Sequence, residues 1–309
     1  METVLTVRNL TKQIGGELLV DGVSFECRKG EIFGLLGPGG AGKNALLGML
    51  SGLIEPDGGE INICGYSLLR EHGDAMRLVG AAIGSAQPYL FMTGRQNLRQ
   101  TARAYGKIDE QKLADIVEMS KLGGAMDRKV KTYSVSMKQK LTLCRALYPH
   151  PALLILDEPA NGLEPAETHE LRDILKTLAH RDGLCVFLTT HLSREAASVC
   201  DRTGILSGGR FIELESAAAG GGLAKKTAYR FVVTPIDRAR ELLAESRIGT
   251  VLSVTERSLD VLLTSEELSA LNRYFVENGV SLQTVSPVEG KSLEDIYIEL
   301  TRNGGGRND

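Results

Sequence analysis

Residues Gly37 to Asn44 read Gly-Pro-Gly-Gly-Ala-Gly-Lys-Asn, and no other stretch constrains the chain so tightly. The octet matches the pattern G-x-x-x-x-G-K-[ST] everywhere except at Asn44. The apolar run Ile32 to Leu36 before it predicts a buried strand, and Asn44 to Leu50 after it predicts a helix. Such a strand–loop–helix unit belongs to α/β folds. Its glycines let the backbone curl until several N–H groups face one point, where the helix N-terminus adds partial positive charge. Gly37, Pro38, Gly39, Gly40, Ala41, Gly42, Lys43, Asn44 and Ala45 are therefore candidate phosphate-binding residues, with the Lys43 ammonium serving the outer phosphates. Asn44 stands where a hydroxyl would hold Mg²⁺, which makes it a candidate but altered metal ligand.

Bulk properties narrow the classes further. At 309 residues the chain has room for about two domains with a well-buried core. Its net charge of −3 offers no attraction to nucleic acid or to anionic lipid. No apolar run approaches the roughly 18 residues of a membrane span. Met1 to Gln13 is polar and lacks the apolar centre of a secretion signal. Any role in transport would thus need a separate membrane-spanning partner. Cys27, Cys64, Cys144, Cys185 and Cys200 are scattered and lack metal-ligand spacing, so idle thiols in a reducing cytosol are expected.

Two structural units are expected. Residues 1–216 alternate strand-like runs with helical patterns: Val4 to Leu10, Val20 to Cys27, Glu60 to Cys64, Leu153 to Leu156, Leu184 to Thr189 and Gly204 to Leu206 read as strands. The last turns back through Gly208-Gly209 into Arg210 to Leu214. About 89–147 is helical in pattern and forms a subdomain. Ala217 to Gly222 reads as a linker. Over 223–302 the order β-α-β-β-α-β predicts a small ferredoxin-like α+β domain, with a helix capped by Ser265 and stopped by Gly279. Ser292 to Asp295 opens a final amphipathic helix, and 303–309 is a glycine-rich tail expected to be disordered. No internal repeat is found.

A second cluster of motifs follows the helical stretch. Tyr133-Ser134-Val135-Ser136-Met137-Lys138-Gln139-Lys140-Leu141 precedes Leu153-Leu154-Ile155-Leu156-Asp157-Glu158-Pro159, and Thr189-Thr190-His191 ends a later strand. In this order the motifs resemble the nucleotide-binding subunits of ATP-binding cassette (ABC) transporters. The similarity is closest to subunits that serve two-component bacterial (ABC-2-like) exporters, and it covers nearly the whole chain. It implies a RecA-like P-loop NTPase core with a helical subdomain. It also implies that Asp157 holds Mg²⁺ through water, that Glu158 polarises the attacking water, and that His191 contacts the γ-phosphate. In the family two subunits pack head to tail, so that ATP lies between one phosphate loop and the other subunit's segment at Ser134.

Five departures from the family pattern stand out. Asn44 replaces Ser or Thr on Mg²⁺, an ion intolerant of distorted octahedral bonds. Ile14 stands where an aromatic usually stacks on adenine. Gly84 falls where a metal-sensing Gln is expected, with Gln87 three residues later. Val135 and Ser136 replace two glycines, which adds bulk and restricts any φ > 0 turn needed there. Glu164 replaces an Asp that touches the partner subunit.

Two functions remain open. The first is an ATP-binding subunit that couples ATP binding and hydrolysis to export through a permease, at the cytoplasmic face of the membrane, paired with an identical or a competent second subunit. The second is a degenerate, catalytically weak or inactive cassette acting as a regulatory partner in a mixed dimer. Cassette ATPases of DNA or ribosomes fit poorly, since neither a coiled-coil insertion nor a basic surplus is present and no nucleic-acid partner is expected.

Overall fold

The computed structural model describes residues 2–84, 88–106, 108–191, 196, 198–215, 227–246 and 248–288. The linker 217–222, the final helix from Ser292 and the tail 303–309 lie outside these residues, as does Gln87.

Three short runs anchor the architecture: β3 (Ile32–Leu36), β7 (Leu153–Asp157) and β8 (Cys185–Thr190). Each is apolar at successive positions, and each is buried on both faces. Phe33, Leu35, Ile155 and Phe187 point into one apolar cluster. Ile32, Leu36, Leu154, Leu156, Val186 and Leu188 point into another. Burial on both faces is why these segments read as continuous apolar runs and not as alternating ones. With β6 (Val79–Ala82), β9 (Arg202–Ser207) and β10 (Arg210–Glu215) they form a six-stranded sheet in the order β10-β9-β3-β8-β7-β6, parallel except for the β9–β10 hairpin.

An antiparallel sheet covers one face. β1 (Thr3–Ile14), β2 (Glu17–Arg28), β4 (Gly58–Ile63) and the two-residue β5 (Tyr66–Ser67) order as β2-β1-β4-β5. Helix α1 (Lys43–Leu50) shares the cluster between the two sheets through Ala45, Leu46, Leu47, Met49 and Leu50. Phe25 from β2 stacks on Phe33 and Phe187 at 5.5 and 5.6 Å, joining the layers by an aromatic seam. On the other face lie α3 (Gly94–Ala104), α4 (Glu110–Ser120), α5 (Val135–Leu147) and α6 (Pro165–Lys176), a short α2 (His72–Met76) having intervened after β5.

Strand β6 was not legible beforehand. Its Val79-Gly80-Ala81-Ala82 lacks the bulk that signals a strand, and the reason is close packing. A Cβ on Gly80 would strike the carbonyl of Ala146 in α5.

The second unit comprises β11 (Thr227–Thr234), α7 (Ile236–Ser246), β12 (Thr250–Val254), β13 (Ser258–Leu263), α8 (Ser265–Glu277) and β14 (Ser281–Pro287). The sheet is antiparallel with the order β12-β13-β11-β14, as expected for a ferredoxin-like β-α-β-β-α-β chain. The cap of α8 lies one residue earlier than expected: Thr264 Oγ1 accepts the Glu267 N–H at 3.1 Å, and Ser265 is already helical. One sheet face packs Phe231, Val261 and Leu263 on Leu242 and Phe275. The opposite face contributes Ala228, Leu252 and Leu262 to the larger apolar cluster of the first unit, and carries a bidentate Arg230–Asp260 pair at 2.8 Å whose carboxylate is buried.

Candidate functional site

Sheet topology alone assembles the site. β3, β8 and β7 are adjacent and parallel, so the residues that follow them emerge along one edge. Their registers pair Leu36 with Thr190 and Asp157 with Thr189. Gly37, Glu158 and His191 are therefore neighbours although the sequence separates them widely, as expected of ligand sites at the carboxyl ends of open α/β sheets.

The loop reaches this edge under a strict steric condition. Gly42 has φ +95°, and a Cβ there would strike the carbonyl of Leu19 in β2. Only glycine accepts both constraints. Gly42 is also the N-cap of α1, and no side chain caps that helix. Its first N–H groups thus have no side-chain acceptor, and an uncapped helix start of this kind is suited to receiving anions. Lys43 is buried, with Nζ donating to the Gly37 carbonyl and lying 3.6 Å from Glu158 Oε1. Asn44, next along the helix, is exposed.

Two acids occupy the end of β7, in distinct settings. Asp157 is held on both oxygens: Thr189 donates its hydroxyl to Oδ1 at 2.8 Å, and the Gly84 N–H donates to Oδ2 at 3.2 Å. Glu158 has φ +46° and lies between two bases, with Oε2 2.5 Å from His191 Nδ1 and Oε1 facing Lys43. Lys43, Asp157, Glu158 and His191, singled out separately from the sequence, therefore meet in one cluster. A cavity of about 420 Å³ adjoins it, bordered by Gly84, Val135, Lys138, Gln139, Asp157 and Glu158.

Other expected site residues lie apart. Ile14 ends β1 and is about half exposed, an aliphatic patch where a stacking ring was the usual feature. Ser134 is the N-cap of α5, its Oγ accepting the Met137 N–H at 3.2 Å, so the hydroxyl serves its own helix. The concern for a φ > 0 turn at Val135 or Ser136 is corrected here: both are helical, and neither has positive φ. They also differ from each other. Successive helical residues point about 100° apart, so Val135 is half exposed while Ser136 is buried. Glu164 likewise has a local task, as the N-cap of α6: its own N–H donates to the Glu167 carboxylate at 3.2 Å, and Pro165 follows.

Sequence reasoning missed Thr189, Lys138 and Gln139. A threonine in an apolar strand reads as an ordinary β residue, and only the pairing register sets it opposite Asp157. Lys138 and Gln139 stood within the quoted motif, yet nothing in their spacing placed them by the acids.

Could the cluster accept Mg²⁺? No group of three or more His, Cys, Asp and Glu suited to a metal occurs among the described residues. Asp157 and Glu158 bring carboxylate oxygens to the cluster, and Asn44, the residue after Lys43, carries an amide oxygen; all are hard oxygen ligands. Mg²⁺ is characteristically bound by one or two such groups together with substrate phosphates. The residues fit an ion that arrives with a nucleotide.

Comparison with known proteins gives a consistent picture. Residues 20–161 match the family described as ABC transporter. The uncharacterized ABC transporter ATP-binding protein YhcH of Bacillus subtilis (strain 168) is 36% identical over 301 residues, covering 97% of each chain. The bacitracin transport ATP-binding protein BcrA of Enterococcus faecalis is 30% identical over 307 residues, covering 99% of this chain and 98% of BcrA. Among solved structures, the ATP-binding subunit of an ABC transporter superposes with a TM-score of 0.61 at 29% identity, over 69% of this chain and 90% of that one.

Proposed function

This chain belongs to the ABC transporter family as an ATP-binding subunit, and from that premise we propose which of its residues handle ATP and how. Backbone N–H groups of Gly37 to Ala45 cradle the phosphates, and Lys43 leaves its loop carbonyls to meet the outer ones. Glu158 polarises the attacking water. His191, in contact with Glu158, orients it and faces the γ-phosphate. The observation that carries this reading is the position of Glu158 between Lys43 and His191. A carboxylate there has a cation to define one oxygen and an imidazole to define the other. Asp157 and Asn44 would hold Mg²⁺. That ion, when bound, neutralises charge on the β- and γ-phosphates.

The exposed amide of Asn44 is a longer ligand than a hydroxyl, and it grips the metal poorly. ATP binding therefore persists but is weak and changes little with Mg²⁺. Titration calorimetry of the full chain, with Mg²⁺ and with a chelator, tests this. Expected is a dissociation constant that moves less than about tenfold between the two, the equivalent of about 1.4 kcal/mol. The Lys43→Ala variant should lose most of the affinity. Tight binding that vanishes with chelator would overturn the weak-metal reading, and an unaffected Lys43→Ala variant would overturn the site itself.

No helix among the described residues is long and apolar enough to cross a membrane. By its similarity to transporter ATP-binding proteins, the proposed assembly is a pair of cassettes held at the cytoplasmic face by a separate permease, the second cassette being a copy of this chain or a paralogue. BcrA is named for bacitracin transport, and export of a compound of that kind is the role this similarity supports. Nothing in these similarities favours the degenerate regulatory module over a transport ATPase.

A further inference from the structure

Glu158 and Asp157 are adjacent, yet their side chains serve different partners: one lies between Lys43 and His191, the other between Thr189 and Gly84. A single side chain links them. The Thr189 hydroxyl, fully buried, donates to Asp157 Oδ1 at 2.8 Å and accepts the backbone N–H of Glu158 at 3.1 Å. The same N–H also reaches the Thr189 carbonyl at 3.2 Å. A hydroxyl has one hydrogen and two acceptor lone pairs, so both bonds form at once without competition. Glu158 departs from strand geometry at this point, with φ +46°. For a non-glycine residue that conformation is uncommon and persists where the surroundings hold it. The turn that aims the Glu158 carboxylate at His191 is thus tethered from β8, the strand that His191 directly follows.

We infer that Thr189 is a positioning residue that locks Asp157 and Glu158 into one unit, fixing the water-polarising carboxylate relative to the metal-facing one. Without the hydroxyl, Asp157 keeps its Gly84 contact and Glu158 keeps its carbonyl contact, but no side chain bridges the Asp157 carboxylate to the Glu158 turn. Turnover then falls while ATP binding stays. The inference rests on the reading of Glu158 as the water-polarising residue, so the test must separate the two.

Thr189→Val removes the hydroxyl at nearly constant shape, and Thr189→Ser restores it without the methyl. Three quantities are measured: ATP affinity by calorimetry and hydrogen exchange at the Glu158 amide on the full chain, and kcat and KM for hydrolysis in the assembled transporter. For Thr189→Val, affinity and KM should stay within about twofold. Its kcat should fall about 10- to 100-fold, the rate equivalent of one hydrogen bond to a charged group. Exchange at the Glu158 amide should quicken about 2- to 10-fold, as for one lost neutral hydrogen bond. Thr189→Ser should recover both. Equal damage from Ser and Val would mean that the methyl matters and not the hydroxyl, which overturns the inference. So would unchanged exchange and unchanged kcat in Thr189→Val. Full turnover in Glu158→Gln would instead overturn the catalytic reading, with amide exchange still deciding whether Thr189 holds the turn.

Discussion

Helices α1 and α5 both begin where a family member would meet phosphate, yet their first turns are finished in opposite ways. At α1 the cap is Gly42, a residue with no side chain, so no side chain caps the helix start. At α5 the cap is Ser134, whose Oγ already accepts the Met137 N–H, and the exposed Val135 side chain follows it. On the proposed reading, one terminus would be completed by a bound phosphate, whereas the other is completed by its own side chain. An open terminus costs stability until an anion arrives, whereas a capped one is stable alone and has less to offer a second molecule. On the proposed reading, the loop at α1 therefore keeps the family pattern more closely than the α5 end does.

This contrast can be broken at either helix. The largest effect is expected from Gly42→Ala. Forcing Ala to φ +95° against the Leu19 carbonyl costs about 1–3 kcal/mol and shifts the N–H groups that hold phosphate. Denaturant unfolding should show that loss, and ATP affinity should drop at least about tenfold. If Gly42→Ala binds ATP normally, α1 is not the open terminus described here.

A middle-sized effect is expected from Val135→Gly. In a Glu158→Gln background, which should retain ATP, light scattering should find monomers with Val135 present. Removing the exposed isopropyl group should allow an ATP-dependent dimer, with Val135→Ala intermediate. A stable ATP-bound dimer that still carries Val135 would show that this side chain obstructs nothing.

Ser134→Ala should have the smallest effect. Losing an N-cap hydroxyl costs about 1 kcal/mol of stability, and ATP binding to the isolated chain should be unchanged. A clear fall in ATP affinity would mean that Ser134 serves ligand and not helix, and the contrast between the two termini would collapse.

How far all this was legible follows from what kind of information each feature needs. The loop, the acids at the end of β7 and the histidine after β8 were readable because each ends an apolar run, and a parallel sheet brings such ends together. Thr189 was not readable, since its role exists only through the pairing register with Asp157. Nor was β6, whose small residues answer to the approach of α5 and not to strand propensity. Val135 and Ser136 were treated alike because adjacent letters look equivalent, whereas a helix turns one outward and the next inward. Pattern was visible, orientation was not.

The C-terminal sheet carries one further consequence, for anyone who shortens this chain. Its outer strands look dispensable, and a cut before β11 would leave every residue of the nucleotide cluster in place. Yet Ala228, Leu252 and Leu262 belong to the same apolar cluster as the helices that back the central sheet. A truncated cassette would expose the side they cover to water, and sticky surface of that sort drives proteins into aggregates before it impairs any chemistry. A minimal version of this protein that precipitates would thus report a missing cover and not a faulty site. Surface leucines replaced by polar residues on the uncovered side, and not repairs at the phosphate loop, would be the remedy.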